Sequence, residues 1–222
     1  MDMQMEWSEN RALLRGTAAG TPEVSHENHG VRYWTFPLAV RRLSGREDRL
    51  NIIAAEPLLA RCPVRPGEEL EVEGEVRSFN NKSGRGSRLV ITLYARRLAP
   101  GEGEHCNELH LAGVLCKPPI LRRTPLGREI CDLMLAVNRR YGRADYLPCI
   151  AWGALAEACG ARSVGDGLRL AGRLQSRVYT KLVEGESQER TAFEVSVMRL
   201  IEPEEERAEA AFSPRWARQK SE

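Results

Sequence analysis

The chain repeats itself at a nearly constant spacing. The segment at residues 10–16, NRALLRG, matches the segment at 107–113, NELHLAG, 97 residues later, and the Leu-Ala-Val run at 38–40 recurs at 135–137 with the same offset. Further blocks recur at offsets of 96 to 102: Leu59 and Ala60 with Leu155 and Ala156, Gly74 and Ser78 with Gly172 and Ser176, Arg97 and Leu98 with Arg199 and Leu200. A repeat of this length is the size of one small domain, so the 222 residues are predicted to hold two domains.

The composition between the repeats predicts where the domains meet. Residues 100–106, PGEGEHC, contain the Pro and Gly residues that are typical of a short flexible linker. We therefore predict one domain at residues 10–99 and a second at 107–201. Residues 1–9 are an N-terminal extension, and residues 202–222 are predicted to be a flexible C-terminal tail.

Both repeats are predicted to be β-rich, with one short helix each. Alternating or continuous apolar runs bounded by turn residues predict five strands per repeat: 12–18, 32–41, 49–55, 69–79 and 87–98 in the first, and 108–115, 130–137, 146–152, 168–179 and 191–200 in the second. Each helix, near 57–61 and at 153–159, follows the third strand. This order is that of the OB-fold, so the predicted fold class is all-β, as two tandem OB-fold five-stranded β-barrels. Gly172 interrupts its strand where a barrel corner is expected.

Charge is unevenly distributed along the chain. The net charge is only +2, yet residues 10–99 hold 15 Lys and Arg against 10 Asp and Glu, and residues 107–200 hold 14 against 10. A basic face is the electrostatic footprint of a phosphate binder. Ordinary solvated surface charge, with no partner, is the alternative interpretation of the same numbers.

Several classes of protein are not expected. No apolar run reaches the length of a membrane span, and the first nine residues lack the basic-then-apolar order of a signal peptide, so a cytoplasmic, nucleoid-associated protein is predicted. The six cysteines form no C-x-x-C pair and are expected to be reduced thiols; no metal and no cofactor are predicted. The chain has no P-loop, G-x-S-x-G or H-E-x-x-H motif, so an enzyme is not expected.

Four segments of the second repeat carry a family resemblance. They are 107–113, LAVNR at 135–139, AWGALAE at 151–157 and AGRLQSRVY at 171–179. In these motifs the second repeat resembles the bacterial single-stranded DNA-binding protein (SSB) family, and the first repeat resembles it more faintly. The resemblance implies sequence-nonspecific binding of single-stranded DNA in replication, repair or recombination, without catalysis.

The resemblance also implies which residues bind DNA. Aromatic side chains of this family stack on bases, and four such positions align with Tyr141, Tyr146, Trp152 and Tyr179. Stacking suits a nonspecific binder because every base has a π-face. The basic candidates for phosphate contacts are Arg122, Arg123, Arg128, Arg139, Arg140, Arg143, Arg173, Arg177 and Lys181. A place in the barrel core is the alternative for each aromatic residue, and a plain surface charge is the alternative for each basic residue.

The first repeat departs from the family pattern. Its positions that correspond to the four aromatics lie near Ser44, Leu50, Glu56 and Asn81, and none is aromatic. It is expected either to serve dimerisation or to make weaker nucleic-acid contacts through Arg41, Arg42, Lys82, Arg85 and Arg88. Family assemblies commonly present four OB-folds, so the resemblance implies a homodimer of this two-barrel chain.

Partners other than DNA stay open at this point. A primosome-like OB-fold module, which binds proteins and only weakly binds nucleic acid, is the alternative function, and stacking alone does not exclude RNA. Replication or recombination proteins are possible partners. However, the tail at 202–222 lacks the acidic tip through which family members recruit them.

Overall fold

A computed structural model describes residues 9–81, 89–139, 142–183 and 186–201. Most of the predicted N-terminal extension and the whole C-terminal tail lie outside the described residues. So do five predicted binding residues: Lys82, Arg85, Arg88, Arg140 and Tyr141. Lys181 is described only as part of the backbone of its strand.

Twelve strands and two short helices make up the described part of the chain. The first half contains β1 (Asn10–Ala18), β2 (Glu23–Asn28), β3 (Val31–Arg41), β4 (Glu47–Ala55), α1 (Glu56–Arg61), β5 (Glu69–Asn80) and β6 (Leu89–Pro100). The second half contains β7 (Cys106–Leu115), β8 (Ile120–Arg123), β9 (Glu129–Asn138), β10 (Ala144–Trp152), α2 (Ala154–Gly160), β11 (Gly167–Val183) and β12 (Glu186–Leu200). Neither described helix is long or apolar enough to cross a membrane.

Each half closes into a barrel. The strand order is β2-β3-β4-β6-β5-β1 in the first half, with closure by pairing of β1 with β3, and β7-β11-β12-β10-β9-β8 in the second, with closure by pairing of β7 with β9. Neighbouring strands are antiparallel except for β4 with β6 and β10 with β12. The predicted all-β class and tandem OB-fold architecture are confirmed.

Alternation of burial explains why these segments are strands. Along β5, buried and partly exposed residues alternate from Leu70 to Ser78, and Leu70, Val72 and Val76 enter the core. A period of two places alternate side chains on opposite faces of a sheet, so one face can pack inside the barrel while the other contacts solvent.

Glycines let the long strands coil at the barrel corners. The pairing register shifts at Gly74 in β5 and at Gly172 in β11. A Cβ atom at Gly74 would collide with the carbonyl oxygen of Tyr94, and one at Gly172 would collide with that of Ser196. Only glycine therefore permits this close approach of two backbones, as the sequence predicted for Gly172.

Two strands were not predicted. All six residues of β2 and all four of β8 are exposed, so neither has the alternation that identifies a half-buried strand. Each pairs along one edge, β2 with β3 and β8 with β9. The ten predicted strands are present, and each barrel carries this additional short strand.

The two barrels are joined edge to edge. Strands β1 and β7 pair antiparallel, with Asn10 opposite Leu111 and Leu14 opposite Asn107. Asn107 is the repeat equivalent of Asn10, and Leu111 is the repeat equivalent of Leu14, so these two pairs are equivalent to each other. The two barrels are therefore related by an approximate twofold axis within one chain.

Hydrogen bonds between the barrels follow the same axis. The N–H of Ser176 donates to Asp48 over 2.8 Å, and the N–H of Ser78 donates to Asp145 over 2.5 Å. In return, Ser78 Oγ accepts from the N–H of Tyr146 over 2.7 Å, and Ser176 Oγ accepts from the N–H of Arg49 over 3.1 Å. Both carboxylates are fully buried.

Candidate nucleic-acid interface

Three of the four predicted aromatic residues of the second barrel lie within the described part of the chain, and all three are at least partly exposed. Tyr146 and Trp152 lie on the outer side of β10, with 51% and 41% of their surface exposed. Tyr179 is partly exposed on β11, and the guanidinium of Arg177 lies 5.7 Å from the centre of its ring. The interpretation of Tyr146 and Trp152 as core residues therefore does not hold.

Trp152 borders a shallow groove of about 440 Å³. The groove has residues of both barrels along its walls: Arg42, Arg46, Arg122, Thr124, Ile130, Asp132, Ile150, Trp152, Arg173, Gln175, Ser176, Arg177 and Glu194. Five of them are arginines and two are acids. This combination of an exposed ring and an excess of guanidinium groups can hold a stacked aromatic ligand with a negatively charged backbone.

A buried carboxylate organises the basic wall of the groove. Asp48 accepts hydrogen bonds from Arg42 Nε over 2.6 Å and from Arg42 Nη2 over 2.5 Å, and this pairing raises the pKa of Arg42. Burial, and then the nearby charge of Arg42, lower the pKa of Arg173. A lowered guanidinium pKa still leaves the group protonated at neutral pH, so like charges are held close together here.

The other groove arginines differ in how they are neutralised. Arg122 pairs with Asp132 over 2.6 Å, so its charge is already compensated. Among the described residues, no carboxylate lies within ion-pair distance of Arg46, Arg173 or Arg177, although the charge of Asp48 acts on Arg173 from farther away. These three arginines are therefore the groove cations that are most available to pair with an anion.

Four further predicted arginines of the second barrel that the structure describes, Arg123, Arg128, Arg139 and Arg143, do not line this groove. Arg123 pairs with Glu129 over 2.8 Å, and Arg139 binds the buried Asp145 and the carbonyl of Ser78. Arg128 and Arg143 are exposed. In the first barrel, Arg42 lines the groove as described, and the exposed Arg41 uses its backbone N–H to bind His105.

Sequence reasoning missed Arg46. It lies in the turn between β3 and β4 of the first barrel, yet it lines the same groove as Trp152 of the second barrel. The signal was present, because Arg46 is 97 residues before Arg143, which was predicted as a binding residue. A site shared between the two barrels follows only from their arrangement in space.

Comparison with known proteins places this architecture in a family. Two tandem OB-fold barrels with an outward aromatic and a basic groove define an OB-fold protein of the nucleic-acid-binding type. The model of the single-strand binding protein family matches residues 106–201. The single-stranded DNA-binding protein of Thermus aquaticus is 34% identical, over 92% of this chain and 88% of its own. The chain belongs to the single-strand binding protein family.

Other relatives agree. The single-stranded DNA-binding protein of Thermus thermophilus is 29% identical over 92% of this chain and 88% of its own. A crystal structure of a deletion mutant of the Thermus aquaticus protein superposes with a TM-score of 0.71 at 26% identity, covering 90% of this chain and 96% of that chain. Proteins of this family bind DNA and are not enzymes, in agreement with the prediction for this chain.

Proposed function

We propose that this protein binds single-stranded DNA without sequence preference. The observation that carries the proposal is the outward-facing Trp152 beside a groove with five arginines, contributed by both barrels. The Thermus relatives are named as single-stranded DNA-binding proteins, which supports the same ligand. A duplex does not suit the site, because its bases are already stacked on one another and cannot stack on a protein ring.

Binding combines two physical effects. Bases stack on Trp152, and each stacked base contributes about 1–3 kcal/mol regardless of its identity. The guanidinium groups of Arg46, Arg173 and Arg177, which form no ion pair among the described residues, neutralise phosphates and release counterions, so the affinity falls as salt rises. Asp132 and Glu194 also border the groove and would repel phosphates, which favours a strand path on the side of the arginines.

The sequence predicts further DNA contacts beyond Arg46, Arg173 and Arg177. We propose that further stacking and phosphate contacts come from Tyr141, Tyr146, Tyr179, Arg122, Arg123, Arg128, Arg139, Arg140, Arg143 and Lys181. The guanidinium of Arg139 already donates a hydrogen bond to the buried carboxylate of Asp145, so it is less available for a phosphate. We therefore assign it a structural role in addition to any contact with DNA.

The assembly and the pathway are proposed on the same basis. A homodimer would present four OB-folds to the strand, and the cellular role would be DNA replication, repair or recombination. Sedimentation velocity of the free protein and of its DNA complex measures the number of chains directly.

The test is a fluorescence-anisotropy titration of a labelled oligo-dT at low and high salt. The wild type is expected to bind tightly at low salt and more weakly at high salt. The double variant Trp152→Ala/Tyr179→Ala is expected to bind at least about 30-fold more weakly, because it loses two stacking rings that contribute about 1 kcal/mol or more each. Val164→Ala, which shortens another exposed apolar side chain outside the groove, is the matched control and is expected to bind as the wild type does.

The absence of binding by the wild type at low salt would contradict the proposal. It would favour the alternative, an OB-fold module that binds protein partners. Equal affinity of the double variant and the wild type would also count against stacking in the second barrel.

A further inference from the structure

The first barrel has an aromatic cluster of its own. The rings of His26 and Tyr33 stack with their centres 4.8 Å apart and their planes 8° from parallel. The ring of Tyr94 lies 5.7 Å from Tyr33, tilted by 42°, and the guanidinium of Arg96 lies 4.9 Å from the centre of Tyr94. The cluster therefore extends across β2, β3 and β6.

Strand register shows which residues of the second barrel are equivalent to this cluster. In the second barrel, one row of paired residues crosses β8, β9 and β10 and consists of Arg122, Ile130 and Trp152. In the first barrel, the equivalent row crosses β2, β3 and β4 and consists of His26, Tyr33 and Ala55. Tyr33 is 97 positions before Ile130, and Ala55 is 97 positions before Trp152, as the internal repeat requires. In the first barrel the aromatic residue, Tyr33, is therefore at the position equivalent to Ile130, on the strand next to the one that carries Trp152 in the second barrel.

Tyr94 adds a second ring on a nearby strand. Ile53 of β4 pairs with Tyr94 of β6, and the equivalent pair in the second barrel is Ile150 with Ser196. Ser196 is buried, whereas Tyr94 is partly exposed. The first barrel therefore has a tyrosine at a position where the second barrel has no ring.

The two tyrosines support each other. Burial first, and then a hydrogen bond with Tyr33, raise the pKa of Tyr94 to about 12. The Tyr94 phenol is therefore uncharged at neutral pH. A neutral, hydrogen-bonded pair of rings is held in place without adding negative charge near a phosphate backbone.

Two arginines lie next to the cluster, and carboxylates partly neutralise them. Glu75 pairs with Arg96 over 3.2 Å and also contacts Arg77, which in turn binds Asp145. Arg96 keeps 56% of its side chain exposed. One exposed guanidinium thus lies against the Tyr94 ring, which resembles the place of Arg177 beside Tyr179.

We propose that Tyr33 and Tyr94 form a second base-stacking platform, on the first barrel, for the same single strand of DNA. The proposal rests on the proposed function and names a site within it. It assigns to the first barrel a direct role in stacking, in place of the weak contacts or the purely dimerising role expected from its sequence. The strand would pass from the groove at Trp152 to this platform, across the interface between the barrels.

The test compares leucine and phenylalanine variants. Tyr33→Leu/Tyr94→Leu removes both rings, and Tyr33→Phe/Tyr94→Phe keeps them and is the matched control. An oligo-dT of about 30 nucleotides is long enough for two OB-folds, each of which occupies roughly 4–16 nucleotides. The leucine variant is expected to bind it about tenfold more weakly and to occupy fewer nucleotides, while the phenylalanine variant is expected to stay close to the wild type.

Photocrosslinking provides a readout that does not depend on any variant. The wild-type protein is crosslinked to an oligonucleotide that carries 5-iododeoxyuridine, and the crosslinked peptides are identified by mass spectrometry. Crosslinks at Tyr33 or Tyr94, in addition to the second barrel, support the platform.

Two results would overturn the platform, and they are distinguishable. If the leucine variant has wild-type affinity and site size while Trp152→Ala weakens binding, only the platform is wrong and the proposed function stands. If the wild type does not bind oligo-dT at low salt, both are wrong. Thermal unfolding of each variant confirms that it is folded before its affinity is compared.

Discussion

At the scale of single residues, two buried aspartates organise the basic surface. Asp48 holds Arg42 in the groove and also accepts a hydrogen bond from the N–H of Ser176 in the other barrel. Asp145 occupies the equivalent place, where it binds Arg139 and the N–H of Ser78. Without the carboxylate of Asp48, Arg42 and Arg173 would be two neighbouring cations in a partly buried site. Asp48 therefore acts on stability and on the position of a groove arginine at once.

Removing this carboxylate is expected to be costly. Asp48→Ala leaves the guanidinium of Arg42 unpaired while only 15% of its side chain is exposed, so the free energy of unfolding is expected to fall by about 3–5 kcal/mol. Asp132→Ala is the control, because its pair with Arg122 is 40–50% exposed and is expected to contribute less than about 1 kcal/mol. Urea denaturation followed by circular dichroism measures both. Similar losses in the two variants would contradict the organising role of Asp48.

At the scale of strands, the sequence was informative wherever one face of a strand is buried. Alternation predicted β5 because Leu70, Val72 and Val76 pack inside the barrel, whereas β2 and β8 bury no residue and have no such pattern. Gly172 could be predicted as a corner because a glycine inside a strand pattern is unusual.

The parts of the site that could not be predicted depend on contacts between strands and between barrels. The internal repeat makes Tyr33 the equivalent of Ile130, but only strand pairing shows that Ile130 lies beside Trp152. Arg46 reaches the groove of the other barrel for a similar reason. Local patterns predict which segments form strands, but they do not contain the distances between segments far apart in sequence.

The corner glycine leads to a test at this scale. Gly172→Ala places a methyl group against the carbonyl oxygen of Ser196, so the strands must separate, and a loss of about 1–3 kcal/mol in the free energy of unfolding is expected. Gly160→Ala is the control, because its added methyl would lie 3.2 Å from the Cβ of Leu121, a contact that a shift of a few tenths of an ångström relieves, whereas the methyl at Gly172 would collide with a backbone oxygen. Thermal or urea unfolding measures both variants. An unchanged stability of Gly172→Ala would show that the corner tolerates a side chain.

At the scale of the whole molecule, the two barrels are bound to each other as an approximate dimer within one chain. The pairing of β1 with β7 is continuous from Asn10 to Arg15, and reciprocal hydrogen bonds from Ser78 and Ser176 flank it. The groove includes arginines of both barrels, so the proposed binding surface exists only while the barrels keep their arrangement. Folding and binding are therefore expected to depend on the same contacts.

This dependence predicts that both barrels unfold as one unit. Ser78→Ala/Ser176→Ala removes the acceptors for the N–H groups of Tyr146 and Arg49, and it is expected to lower the free energy of unfolding by about 2 kcal/mol. Because unfolding is shared, hydrogen exchange followed by mass spectrometry is expected to show faster exchange of the slowest amides in both barrels by a similar factor. Ser25→Ala, whose hydroxyl contacts only the exposed His26 among the described residues, is the control and is expected to change neither barrel. Faster exchange confined to one barrel would instead mean that the barrels unfold independently, and that the groove between them can be lost while each barrel stays folded.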